Sequence, residues 1–210
     1  MKATEDLVTN SLQNSLKSES DATPDGRHLR AERTRKSIID AAASMITEGI
    51  LAPTAQQIAD RAGVGIRSFF RHFDDMETLF LTADEESRDS MEALFTGGDR
   101  CGSLQERIRH AVERRSEGYE IHGNGIRASK AMFWRWKVMR KKYQGYQRGL
   151  RKDLDDWLPE LKALPKAERE GIDAIASAEM WFRLREEQEL SKQRSIEVVV
   201  NLLGGLIPNT

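Results

Sequence analysis

The chain has 210 residues, with 33 Lys or Arg against 34 Asp or Glu, so its formal net charge is −1. The 39% apolar fraction is enough for a packed core, and the near-zero charge excludes a uniformly basic protein that coats nucleic acid. The single cysteine, Cys101, excludes an internal disulfide. Neither a signal peptide nor an apolar run near ~20 residues is evident, so we expect a cytoplasmic protein without a membrane span.

The first elements of the chain are a tail and three helices. Residues 1–26 have few large apolar side chains, which predicts a flexible tail. From about Arg27, apolar residues recur at spacings of three and four and predict an amphipathic helix that ends near Gly49. The capping-box pair Thr54 and Gln57 predicts the start of a second helix. That helix ends at Gly63, and a third, short helix follows over residues 66–73.

The middle of the chain continues with helical periodicity. One helix is predicted from about Asp75 to Phe95. A second capping box, Ser103 with Glu106, opens the next helix. The sequence His-Gly-Asn-Gly at 122–125 predicts a turn that ends it.

The last third of the chain is also predicted to be helical. Large apolar residues between Met132 and Trp157 predict two helices, or one long helix kinked near Gly145. A helix over 166–188 follows, and Ser191 caps a last helix that reaches Leu203. Since no segment alternates with a period of two, the predicted fold class is all-α.

The first three helices have the arrangement of a helix-turn-helix motif. The glycine turn 62–65 joins two short helices, and the second of them has Arg and Ser near its start, where side chains can read base edges in a major groove. Residues 27–73 contain eight Lys or Arg and four Asp or Glu, a net charge of +4. Each residue alone fits a solvated face or an ordinary core, but together they favour DNA binding.

The segment 53–73 resembles the signature of the tetracycline-repressor (TetR) family. An Ile-Ala-x-x-Ala-Gly-Val run leads to a short helix that ends in aromatic–x–x–Phe. The resemblance implies a helix-turn-helix DNA-binding domain of three helices over 27–74 and a helical domain for effector binding and dimerisation over 75–210. It also implies a homodimeric repressor that a small-molecule effector releases from a palindromic operator.

The resemblance assigns roles to individual residues. Base contacts are implied for Gln56, Arg67 and Ser68. Together with the basic residues nearby, the expected phosphate contacts are Arg30, Arg33, Thr54, Phe70, Arg71 and His72.

Two positions depart from the family pattern and leave an alternative open. The family often has a tyrosine at the position of Phe70 and a lysine at the position of Met76, so two phosphate contacts are missing here. The alternative function is a helical small-molecule-binding or scaffold dimer with a degenerate DNA-binding head.

Two further sets of residues are expected to act in the C-terminal part. Helices that are apolar all round must pack on two surfaces, which indicates a dimer interface or the central helices of a monomer. The expected interface comprises Ile172, Ile175, Glu179, Phe182, Ile196, Val199, Val200 and Leu203. Large, soft or aromatic residues could line an effector pocket or form ordinary core. These are Phe95, Met132, Trp136, Met139, Tyr143 and Trp157.

One charged segment is unexplained by this scheme. Residues 127–152 contain ten Lys or Arg and no Asp or Glu. They could balance the acidic segment 74–126, or they could bind an anionic effector or form a second nucleic-acid contact.

No catalytic constellation is evident in the sequence. There is no Ser/His/Asp or Cys/His arrangement and no set of metal ligands, so we expect no enzyme activity, no cofactor and no metal. The dinucleotide-like pattern at 123–128 lacks a preceding strand and a following acidic residue, which indicates a chance match. The expected partners are duplex operator DNA, an unknown small molecule and a second copy of the chain.

Overall fold

The computed structural model describes residues 24–95 and 97–208, and within them it contains nine α-helices and no strand, as the all-α prediction expects. The predicted tail lies almost entirely outside the described residues. The helices are α1 (Pro24–Thr47), α2 (Ala55–Ala62), α3 (Ile66–His72), α4 (Met76–Phe95), α5 (Leu104–Phe133), α6 (Lys137–Trp157), α7 (Lys166–Ile175), α8 (Ala178–Phe182) and α9 (Lys192–Leu206). A 3-10 helix (Pro159–Ala163) follows α6, and a π-helical turn (Arg183–Glu187) continues α8.

Local capping signals set the starts of several helices. The Thr54 side chain accepts a hydrogen bond from the Gln57 N–H, and the Gln57 side chain accepts one from the Thr54 N–H, so the predicted capping box is confirmed. The second capping box, at α5, is confirmed as well. Gly63 ends α2 with φ of +68°, a left-handed conformation that glycine adopts without steric cost.

Two hydrophobic cores hold the helices together. The N-terminal core contains the buried faces of α1, α2 and α3 and the start of α4, together with Ala128, Met132 and Met139 from the junction of α5 and α6. The C-terminal core surrounds α5 and is completed by α6, α7, α8 and α9. Because α5 contributes to both cores, it connects α1, α2 and α3 to the rest of the chain.

The predicted turn at 122–125 is wrong, because α5 continues through it to Phe133. Each glycine inside a helix costs roughly 0.5–1 kcal/mol, and burial of neighbouring side chains outweighs that cost here. Tyr119 and Ala128 are buried on either side of the glycines. Gly123 also allows close packing, since a Cβ there would lie 3.4 Å from the Phe182 ring.

Of the two alternatives predicted for the stretch from Met132 to Trp157, the structure has two helices, with the break at residues 134–136, and not one long helix kinked near Gly145. Trp136 takes an extended conformation with φ of −127°, and its ring packs 5.7 Å from that of Phe80. The helix then restarts at Lys137 and runs through Gly145 without interruption.

The single helix predicted over 166–188 is interrupted at Ala176 and Ser177. The Ala176 carbonyl accepts hydrogen bonds from the Tyr119 hydroxyl (2.8 Å) and from Arg115 (3.2 Å), so side chains of α5 satisfy it at the break. Ser177 then caps α8 by accepting a bond from the Met180 N–H. Ser191 caps α9 as predicted, although that helix continues to Leu206 rather than ending at Leu203.

Candidate nucleic-acid interface

Helix α3 has one buried face and one exposed face. Phe69 and Phe73 are 0% and 1% exposed, so they fix the helix on the N-terminal core. Arg67 and Arg71 are exposed, and Phe70 is 48% exposed. The short helix therefore presents two guanidinium groups and an aromatic ring from a rigid support, which suits contact with DNA.

Arg35 locks the C-terminal end of α3 onto α1. Its Nη1 donates to the His72 carbonyl at 2.9 Å, and its Nη2 donates to the Thr82 hydroxyl at 3.4 Å. The guanidinium also lies 4.2 Å from the centre of the Phe73 ring. A cation at carbonyls that end a helix is stabilising, so Arg35 positions the recognition helix. Arg35 is one of the eight Lys or Arg residues of the basic segment 27–73, but it turns inward and contacts the protein itself.

Helix α2 lies beside α3 and is held by polar contacts to α1. Arg61 forms two bonds to the Glu48 carboxylate, at 2.6 and 2.9 Å, which lower the pKa of Glu48 to about 2. The Ser37 hydroxyl donates to the Ala62 carbonyl at 3.2 Å. Gln56 is exposed, and its amide donates to Asp60 at 2.7 Å. A base contact by Gln56 would therefore require its side chain to leave Asp60.

The other predicted DNA contacts divide by exposure. Arg30 and Arg33 project into solvent from α1, and Thr54 is exposed at the start of α2. Ser68 and His72 are partly buried. The structure thus brings most of these residues to the surface of the three-helix unit, and their individual contacts to bases or phosphates stay predictions.

The N-terminal helices match a known protein family. Residues 38–83, which include the helix-turn-helix, match the family described as bacterial regulatory proteins, tetR family. The match covers 46 of the 210 residues and runs from within α1 into α4, so the similarity to the tetR family is shown for this segment.

Solved structures of low identity show the same fold. A tetR-family transcriptional regulator from Streptomyces coelicolor is 17% identical, with a TM-score of 0.62 and coverage of 82% of this chain and 81% of that one. A TetR transcriptional regulator from Rhodococcus sp. RHA1 is 18% identical, with a TM-score of 0.54 and coverage of 85% and 98%. The multidrug binding protein EbrR, solved with imidazole, is 18% identical, with a TM-score of 0.55 and coverage of 83% and 94%.

A cavity lies between the C-terminal half of α1 and the helices α4, α5 and α8. Its volume is about 580 Å³, and residues of α1, α4, α5 and α8 line it. Two of the predicted effector residues, Met132 and Met139, lie in its wall. Beside it, the Asn124 amide donates to the Thr47 carbonyl at 2.9 Å and ties α5 to the end of α1. No local pattern in the sequence indicates this hydrogen bond, because it depends on α5 continuing through the predicted turn.

Another cavity, of about 240 Å³, lies between α4, α5 and α6. Tyr143, which is also one of the predicted effector residues, lines part of it. Tyr146 also lines it and donates to Asp84 at 2.5 Å, and burial followed by this carboxylate raises the pKa of Tyr146 to about 12. Trp136 and Trp157 line neither cavity, because they are packed in or against the hydrophobic cores. The side chain of Phe95 lies outside the described residues.

The predicted dimer residues occupy three environments. Five are buried in the C-terminal core of the chain itself, so their apolar character is already satisfied within one copy. These are Ile172, Ile196, Val199, Val200 and Leu203. Ile175 and Phe182 are partly buried against the same core. Glu179 is exposed and accepts bonds from Lys130 at 2.6 Å and Tyr143 at 3.1 Å.

Residues 24–95 and 97–208 contain neither a metal-binding cluster nor a membrane-spanning helix. No group of three His, Cys, Asp or Glu side chains there is arranged to hold a metal ion. In the same residues, no helix combines the length and apolar character that crossing a bilayer requires.

Proposed function

We propose that this protein is a cytoplasmic, sequence-specific transcriptional regulator that acts as a homodimeric repressor and leaves its palindromic operator when a small molecule binds. The observation that carries the proposal is the geometry of α3. Arg67 and Arg71 are exposed on a helix whose opposite face, Phe69 and Phe73, is fully packed. A guanidinium held in this way can donate two hydrogen bonds to a guanine in the major groove.

Selection of binding sites from random duplex DNA tests the DNA-binding part of the proposal. We expect a palindromic site whose half-sites are separated by one helical turn, ~34–36 Å, or a multiple of it. The alternative with a degenerate DNA-binding head predicts that no sequence is enriched over the starting pool. The exposed α3 side chains favour the regulator, because a head without function has no need to keep them on a rigid support.

A stripe on α9 supports the dimer. Val198, Leu202 and Leu206 are four residues apart and share one face of the helix, and the two leucines are 42% and 43% exposed. Since the inner face of α9 packs in its own core, this outer face is free to meet a second copy. Light scattering should give twice the mass of one 23.9 kDa chain.

Substitutions on this stripe should separate the copies. Leu202→Glu with Leu206→Glu places two charges in the proposed interface, and we expect a monomer at micromolar concentration. Val138→Glu is the matched control, because Val138 is 46% exposed on α6 and should leave the mass unchanged. A monomer in the unchanged chain would contradict the dimer.

The cavity between α1, α4, α5 and α8 supports effector release. Its volume of about 580 Å³ lies in the range of small-molecule sites, and its wall contains Ile46 and Thr47 of α1 as well as Trp181 and Phe182 of α8. A ligand there would favour one relative position of the DNA-binding helices, and DNA would favour another, which couples the two equilibria. The structurally similar EbrR is named a multidrug binding protein, which agrees with this proposal.

A screen for compounds that release bound DNA tests the effector part. Ser129 lines both cavities, so Ser129→Leu should weaken release by any active compound while DNA binding persists. Ser90→Leu is the matched control, since Ser90 is exposed on α4. Equal release from both variants would contradict the placement of the effector.

A further inference from the structure

The basic segment 127–152 divides into paired and unpaired cations. Four of its ten side chains form ion pairs within the chain, and the pairs are Arg127–Glu186, Lys130–Glu179, Lys142–Asp84 and Arg151–Glu170. In contrast, Arg135, Lys137 and Lys141 are exposed and have no carboxylate at ion-pair distance among residues 24–95 and 97–208. We name these three residues the basic junction, because they lie where α5 meets α6. Internal charge balance therefore accounts for part of the segment but not for the basic junction.

The basic junction is fixed to the DNA-binding helices rather than to the far part of the chain. Met132, which precedes the basic junction, and Met139, which lies within it, are buried in the N-terminal core together with Phe69 of α3. The ring of Trp136 packs 5.7 Å from that of Phe80. Phe80 is four residues after Met76, which corresponds to about 6 Å along α4, and α4 starts directly after the recognition helix. Two of the three cations, Arg135 and Lys137, are therefore the neighbours of a residue that packs near the start of α4, the helix that follows the recognition helix.

The chemistry of the surface fits a polyanion. Between Arg127 and Lys152 there is no acidic residue, so no neighbour in sequence offsets the three charges. Duplex DNA carries one negative charge per about 1.7 Å of its axis, and each phosphate contact releases condensed counterions. Contacts of lysine and arginine to phosphates do not depend on the base sequence. The three cations would therefore add affinity for DNA without adding specificity.

We propose that the basic junction contacts the phosphate backbone of the duplex that α3 reads. This inference rests on the proposed function. It adds a DNA contact from the C-terminal region, outside the helix-turn-helix, and it compensates for the missing cation at Met76.

The test compares two triple variants of the full chain with equal charge change. The near variant is Arg135→Gln, Lys137→Gln and Lys141→Gln. The far variant is Lys152→Gln, Lys162→Gln and Lys166→Gln, which changes three exposed lysines away from the DNA-binding helices. Lys152 lies eleven residues after Lys141 on the same face of α6, about 16 Å further along the helix. The probe is a duplex carrying a site selected by the unchanged chain, and binding is measured over a series of salt concentrations.

The near variant should bind the duplex about 10- to 100-fold more weakly at low salt. The slope of its plot of log K against log salt should be smaller in magnitude by about 2.7, which is about 0.9 for each of the three lost contacts. The far variant should match the unchanged chain, because charges beyond a Debye length of about 10 Å are screened. Matching unfolding curves for all three proteins would show that folding is not the cause. Equal slopes for the near and far variants, with the unchanged chain still binding its site, would overturn this inference alone and indicate a partner other than DNA. Absence of any selected site would overturn the proposed function and this inference together.

Discussion

The three-helix unit, α1–α3, and the C-terminal region, α4–α9, are both helical, but different forces decide where their helices end. In the three-helix unit the boundaries follow from neighbouring residues, such as the capping box of Thr54 and Gln57 and the left-handed Gly63. In the C-terminal region the breaks occur where a distant side chain packs or bonds, as Trp136 does on Phe80 and Tyr119 does on Ala176. A compact motif can therefore be set locally, whereas a long bundle is set by tertiary contacts.

The difference suits the proposed roles of the two regions. A reading helix must be held rigidly, and α3 is held by two buried aromatic rings and by Arg35. An effector region must have cavities and alternative packing, and helices of this region line cavities of about 580 and 240 Å³, the larger of which α1 also lines. Four substitutions test this contrast, and they follow from the largest expected effect to the smallest.

Phe69→Ala should destabilise the protein most. Phe69 is completely buried in the N-terminal core, and removing such a ring costs about 3–5 kcal/mol of unfolding free energy. Urea unfolding measures the loss. Phe70→Ala is the control from the adjacent position, and because that ring is half exposed its cost should stay below about 1 kcal/mol. Equal losses would contradict the assignment of the two faces of α3.

Gly63→Ala tests whether a single local residue sets the end of α2 in the three-helix unit. No atom lies within 4 Å of a Cβ built there, so only the left-handed backbone opposes the change, by about 1–2 kcal/mol. Gly65→Ser is the control, because Gly65 is the N-cap of α3, where serine should stabilise by a few tenths of a kcal/mol. Relative to the unchanged chain, we expect the unfolding free energy to fall for Gly63→Ala and to rise for Gly65→Ser.

Gly125→Ala tests whether tertiary contacts hold the C-terminal region's helix α5 through the predicted turn. We expect this variant to be more stable than the unchanged chain. Position 125 is inside α5 and has open space around a Cβ, so alanine should add about 0.5–1 kcal/mol. Gly123→Ala should gain less, because its Cβ would lie 3.0 Å from Arg127 Nη1. Destabilisation by Gly125→Ala would indicate that the segment is a turn after all.

The smallest effect concerns the ion pair of Glu48 and Arg61. The pKa of Glu48 is about 2 in the folded chain, below its ordinary value of 4.5, chiefly because Arg61 bonds its carboxylate. The stabilisation is therefore complete above about pH 4.5 and is lost as the pH falls towards 2. Over that window, the difference in stability between the unchanged chain and Glu48→Gln should shrink, and thermal unfolding at several pH values would measure it. Glu197→Gln, at an exposed position on α9, should show no such convergence if the ion pair is the cause.

The helix boundaries of the three-helix unit were predicted more accurately than those of the C-terminal region, because they depend on neighbouring residues and not on distant contacts. The cap at Thr54 lies three residues from its partner Gln57, so its pattern is visible in the chain. The caps at Ser103 and Ser191 show that local signals in the C-terminal region were equally visible, and the errors there lie elsewhere. The continuation of α5 through Gly123 depends on Phe182, about sixty residues away, and no local pattern records that contact. Likewise, the break at Ala176 depends on Tyr119.

The candidate site was also predictable only where its residues follow from a local motif. Exposed positions such as Arg67 and Arg71 followed from the motif, whereas the inward turn of Arg35 towards His72 did not, because it needs the relative position of α1 and α3. The apolar residues of α9 were correctly recognised as buried, but the sequence could not separate burial within one chain from burial between two.

The measurement that tests the central claim most directly is the ratio of affinities for a selected site and for a duplex of scrambled sequence. It should be determined for the unchanged chain, for Arg67→Ala and for Arg194→Ala, which removes an exposed arginine from α9. We predict that Arg67→Ala loses about 1–3 kcal/mol of binding to the selected site with little change for the scrambled duplex, and that Arg194→Ala changes neither. An unchanged ratio for Arg67→Ala would contradict the claim that α3 reads DNA.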